Sequence, residues 1–93
     1  MAQATILAVG TTAATSTDLI VAAGAVATIG VFTDSAGGIP ANEGVDLMLD
    51  TPSEDVRVGR LDGNHPTQVV SGPCTVRAKR GVTSVNIGVF TET

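Results

Sequence analysis

One thiol and one imidazole, Cys74 and His65, stand nine residues apart in a chain that has a single cysteine and a single histidine. A cysteine becomes a nucleophile when a neighbouring base draws off its proton, so a Cys-His dyad assembled across adjacent strands would do hydrolase-type chemistry. His65 stands in the turn sequence Asp62-Gly63-Asn64-His65-Pro66. The plainer reading is a solvent-facing turn histidine and an inert, half-buried thiol. A second set is acidic. Asp46 and Asp50 are four apart and share one face of a strand, and with Glu54 and Asp55 they offer oxygens to a calcium ion. Their spacing is not that of an EF-hand, and a solvated acidic face accounts for them equally. Gly24, Gly37 and Gly38 belong to no GxGxxG and no Gly-Lys-Ser/Thr phosphate motif. The sequence therefore assigns no catalytic residue, no metal ligand and no cofactor.

A third set is basic. All five cations, Arg57, Arg60, Arg77, Lys79 and Arg80, lie in the second half, whereas residues 1–55 hold seven acids and no base. If the halves stay apart in space, opposite faces of two copies can meet head to tail, with charge fixing register and partner choice. If strands of the two halves interleave, the same charges merely neighbour one another on a solvated surface. These five residues are the candidate interface.

Composition narrows the partners. The net charge of -4 disfavours nucleic acid and anionic membranes. Aromatic residues make up 2% of the chain, with no Trp and no Tyr, so the platforms that stack on bases and sugars are missing. One cysteine makes no internal disulfide. The first residues have no basic region before their apolar ones, and the charge-free runs 1–17 and 19–33 are broken by Gly, Thr and Ser. Neither an export signal nor a membrane span is expected.

The elements that must position these residues read as β throughout. Short runs rich in Val, Ile, Leu and Thr are cut by 11 glycines and 4 prolines, and none keeps a 3.6-residue period. Strands are predicted near Thr5 to Val9, Asp18 to Ala22, Ala25 to Thr33, Val45 to Thr51, Val56 to Leu61, Thr67 to Ser71, Thr75 to Lys79 and Ser84 to Thr91. Val45, Leu47 and Leu49 alternate with Asp46 and Met48, and Val76 and Ala78 with Arg77 and Lys79. The expected fold is an antiparallel Ig-like β-sandwich or small β-barrel of about seven or eight strands. Residues 1–17 are either an arm or the first strand, and 18–93 form one domain.

The chain writes IGVF twice, at Ile29 to Phe32 and at Ile87 to Phe90, and these hold its only two phenylalanines. An offset of more than half the chain leaves no room for two full copies. Two strands in equivalent environments are the better account, because a phenyl ring two residues from a glycine on the same face can cover bare backbone there or on a neighbouring strand.

The stretch LDGNHPTQVVSGPCTVRAKR, Leu61 to Arg80, joins a strand, a polar turn, Val-Val-Ser-Gly-Pro-x-Thr and a strand of alternating apolar and basic residues. With the final SVNIGVF strand it resembles the small β-sandwich structural proteins of tailed bacteriophages that serve as head decoration (cement) or other virion-surface subunits. The resemblance implies a non-enzymatic protein made in the host cytoplasm and located on the virion, where it binds the major capsid protein or another virion protein, as a homo-oligomer, and stabilises the head. A tail-associated or host-adhesion Ig-like module is the alternative. On the decoration reading residues 1–17 add as a strand to a neighbour, and the five cations face acidic capsid surface.

Overall fold

The computed structural model describes residues 3–93. They form nine strands and no helix: β1 (Gln3–Gly10), β2 (Ala14–Thr15), β3 (Leu19–Val21), β4 (Val26–Phe32), β5 (Gly44–Leu49), β6 (Val56–Asp62), β7 (Thr67–Ser71), β8 (Cys74–Arg80) and β9 (Ile87–Glu92). One sheet has the order β1-β9-β4-β7, the other β2-β8-β5-β6 with β3 also on β8, and every pairing is antiparallel.

This is the all-β sandwich that the patterning predicts, with nine strands in place of seven or eight. The surplus has a local cause. Ala14 and Thr15 face Arg80 and Lys79, and Leu19 to Val21 face Val76 to Cys74, so the pairing along β8 slips by one residue between β2 and β3. At the slip sits buried Ser16. Its hydroxyl accepts the Ala78 N–H at 2.9 Å and donates to the Thr17 carbonyl at 2.8 Å, while its own N–H reaches the Ala78 carbonyl at 2.8 Å. A side chain standing in for a backbone partner divides one strand into two.

With β2 and β3 counted as one interrupted strand, the pairings nest: first with last, second with second-last, third with third-last, and the middle two together. Such a ribbon, wound on itself and closed by β4 on β9 and β5 on β8, is a jelly roll. The Ig-like order is corrected by this winding. An immunoglobulin sandwich keeps its first two strands side by side in one sheet, whereas β1 and β2 lie in different sheets. The described part of residues 1–17, expected as an arm or first strand, holds β1 in one sheet and β2 in the other. β1 pairs with β9 from Gln3 opposite Glu92 to Gly10 opposite Ile87, and Thr17 N–H donates to the Ile6 carbonyl at 3.2 Å. Met1 and Ala2 of the expected arm lie outside the described residues.

Alternation decides which side chains meet. Val45, Leu47, Leu61, Val76 and Ala78 of one sheet face Ile29, Val31, Ile87 and Val89 of the other, all buried. Each large aliphatic side chain removed from water in this way contributes about 1.5–3 kcal/mol.

The repeated IGVF segments turn out to be each other's environment. Val31 faces Val89, Gly30 faces Phe90 and Phe32 faces Gly88. Each ring lies over the glycine of the opposite strand: a Cβ on Gly30 would come within 2.7 Å of the Phe90 ring, and one on Gly88 within 2.7 Å of the Phe32 ring. The two rings meet edge to face, with centroids 6.1 Å apart and planes at 63°. The pair is a local pseudo-twofold, in which two copies of one motif cover one another.

Candidate functional site

The outward positions of the second sheet gather four of the chain's five cations together with Asp46 and Asp62. β5, from the acidic half, lies between β6 and β8, from the basic half. Asp46 is opposite Arg60 on one side and Lys79 on the other, and Met48 is opposite Arg57 and Arg77. The halves therefore interleave, and the sequence-long dipole is cancelled locally.

Arg57 Nε is 3.6 Å and Arg60 Nη1 3.2 Å from Asp46 Oδ1, and Arg60 Nε is 3.8 Å from Asp62 Oδ2. Arg60 also donates to the Asn42 carbonyl at 3.4 Å. Arg77 is held more firmly. Its Nε donates to Asp18 Oδ1 at 2.9 Å, Nη1 donates to Asp55, and Nη2 is 3.8 Å from Asp50. The hydrogen bond from Arg77 holds the Asp18 carboxyl below its ordinary range, and the bonds to Asp18 and then Asp55 push the guanidinium further towards its charged form. Of the four acids that offer oxygens to a calcium ion, Asp46 pairs with Arg57 and Arg60, Asp50 and Asp55 pair with Arg77, and Glu54 has no cation within salt-bridge distance among the described residues. Among the described residues no group of three or more His, Cys, Asp or Glu side chains is disposed to hold a metal.

Arg80 leaves the candidate interface. Its residue is only 6% exposed, and its guanidinium donates to the carbonyls of Thr12 (2.8 Å), Ala8 (2.8 Å) and Ile87 (2.6 Å). It ties β8 of one sheet to β1 and β9 of the other. The sequence held the signal for this, because Val76, Ala78 and Arg80 share one strand face and the first two point inwards. Lys79 remains. It is exposed and, among the described residues, has no carboxylate within salt-bridge distance.

Lys79 and Arg60 line a shallow polar cleft of about 160 Å³ with Asn42, Glu43, Asp46 and the loop Gly81 to Thr83. Glu43 closes one end by accepting the Ser84 hydroxyl and its N–H, and these bonds keep its carboxyl below the ordinary range. Val82 stands at the rim, 84% exposed. The sheet face and its cleft carry cations with shared or missing counter-charges, an arrangement suited to fixing register on a polar surface.

The Cys-His dyad does not assemble. His65 precedes β7 and Cys74 follows it, so the five-residue strand keeps them apart. His65 lies beside Asp62 (3.8 Å), whereas the Cys74 thiol meets the Ser71 carbonyl at 3.4 Å. Asp62 organises the turn by accepting the N–H groups of Asn64 and His65, both at 2.9 Å, and these lower its pKa, that of His65 most. Gly63 in this turn does not have a positive φ; a Cβ there would come within 2.2 Å of the Ile39 carbonyl, so close approach is what requires glycine.

No family model, no curated protein and no solved structure matches this chain.

Proposed function

We propose that this protein is a non-enzymatic structural subunit of a tailed-phage virion, a decoration or cement subunit that binds the assembled capsid and stabilises the head. The observation that carries the reading is the nested winding of the strands. A jelly roll is an architecture of viral capsid domains, and here it is built by a chain whose Leu61 to Arg80 segment resembles phage decoration subunits. Fold analogy names no surface, so the docking residues are argued from the site. Lys79, with Arg57 and Arg60 sharing Asp46, offers positive charge from one sheet face. Many weak copies of such a contact on a lattice give firm attachment by avidity. Arg77 and Arg80, committed to internal partners, take no part.

The second reading is a tail-associated or host-adhesion module. Jelly rolls also serve as lectins, but both phenylalanines here cover glycines and no Trp or Tyr exists to stack on a sugar. Electron cryo-microscopy of particles from the producing source, with mass spectrometry to count this chain, tests the proposal. Many copies at regular positions on the shell are expected. A handful at a vertex or tail would favour the second reading, and absence from particles would end both. Lys79→Gln with Arg57→Gln is expected to lower shell occupancy while changing stability by no more than about 1 kcal/mol, since Lys79 has no counter-charge within salt-bridge distance among the described residues and Arg57 only the exposed pair with Asp46.

A further inference from the structure

A sandwich exposes four strand edges, each a row of backbone donors and acceptors that invites another strand unless it is blocked. Three of the four are blocked here. β1 carries two register shifts, and its Ile6 and Ala8 carbonyls are taken by Thr17 N–H and Arg80. β2 and β3 are short and broken at Ser16. β6 is bulged between its pairings with Leu47 and Met48 and carries Arg57 and Arg60. β7, Thr67-Gln68-Val69-Val70-Ser71, has none of these defences: no charge, no proline, and unbroken register with β4.

Its open groups can be named. Val31 N–H donates to the Pro66 carbonyl and Gly72 N–H to the Ala25 carbonyl, both at 2.9 Å, which fixes the parity along the strand. Gln68 and Val70 turn their backbone groups to β4, so Thr67, Val69 and Ser71 turn theirs outwards. Among the described residues only the Ser71 carbonyl meets another group, the weak Cys74 thiol donor at 3.4 Å, and it keeps a second lone pair.

We infer that β7 is a homodimerisation edge, pairing antiparallel with β7 of a second copy about a twofold axis at Val69. In that register Val69 faces Val69 of the other copy, and Thr67 faces Ser71. All three outward N–H groups and all three outward carbonyls of each copy then find partners, so the edge is complementary to itself. The side chains agree with the backbone. Val69, 64% exposed, gains a valine across the axis, and the hydroxyls of Thr67 and Ser71 come opposite one another. The two four-stranded sheets become one continuous eight-stranded sheet across the dimer.

Sedimentation of the purified chain over a concentration series tests this without any capsid, so its outcome is independent of the virion reading. The expected mass is about twice 9.3 kDa, falling to one chain on dilution. Val69→Pro removes an N–H that points away from β4, a place where an edge strand accepts proline, and Val69→Lys sets like charges across the axis. Both are expected to abolish the dimer, and Val69→Lys to leave the melting temperature of the monomer unchanged. Val26→Lys, on the same sheet face but off the edge, is expected to dimerise normally. A monomeric wild type at the highest soluble concentration, a dimer that survives both Val69 changes, or loss of the dimer in Val26→Lys would overturn the inference.

Discussion

The outer faces of the two sheets solve one problem with different chemistry. Strands β1, β4, β7 and β9 carry a single charged residue, Glu92, whereas the strands of the other sheet carry seven. The first face is fixed by shape, with two rings seated on two glycines; the second is fixed by ion pairs across β6, β5 and β8. Shape tolerates little, since an added methyl has nowhere to go, while exposed charges exchange one partner for another or for water at small loss. The contrast teaches where this chain is rigid and where its surface can be rewritten.

Arg80 breaks the contrast most severely, because it belongs to both sheets. Arg80→Leu strands three carbonyl acceptors in a buried place and is expected to destabilise by about 3–5 kcal/mol in urea unfolding. Arg80→Lys restores only part of this, since an ammonium lacks the planar fork that reaches all three. On the shape-fixed face, Gly30→Ala drives a methyl into the Phe90 ring and is expected to cost about 1–3 kcal/mol. The same change made in Phe90→Ala should cost much less; additive losses in that double-mutant cycle would show that the ring does not hold the glycine.

On the charged face acid is the sharper instrument. The folded-state pKa values of Asp18, Glu43 and Asp62 are depressed, so their contribution is fully present above the ordinary values of 3.8 for aspartate and 4.5 for glutamate. It is lost as pH falls below those values towards the native ones. Thermal melts between pH 6 and pH 2 are expected to drop in that window, and Asp18→Asn to flatten the drop. The smallest effect is expected at Asp46→Asn, which removes one exposed carboxylate from two arginines and should change stability by no more than about 1 kcal/mol.

Strand positions and inward faces follow from period-two alternation, which is local and therefore readable from the chain: Val45 and Leu47 point inwards as expected, and Phe and Gly cover one another as their spacing suggests. The winding is not local. Nothing in residues 1–17 says that their partner is the final strand, and nothing around Ser16 announces that a hydroxyl will take a backbone N–H. Charge alone makes the five cations of the candidate interface equivalent, and strand parity separates them. Arg80 continues the inward row of Val76 and Ala78, and Arg77 meets acids from Asp18 and Asp55 that only the fold brings together.

Nesting also orders events in time. β1 is made before the other eight strands, yet among the described residues its only partner in the sheet is β9, from Ile87–Glu92, so an uncharged eight-residue strand must wait while the strands between are synthesised. Pairings this distant in sequence fold slowly, and an unpaired apolar strand is exposed to other chains meanwhile. The inner pair, β5 with β6, can close early, and the roll then winds outwards from it. Slower synthesis or a lower concentration of nascent chains is therefore expected to raise the soluble yield without changing the melting temperature of the folded protein.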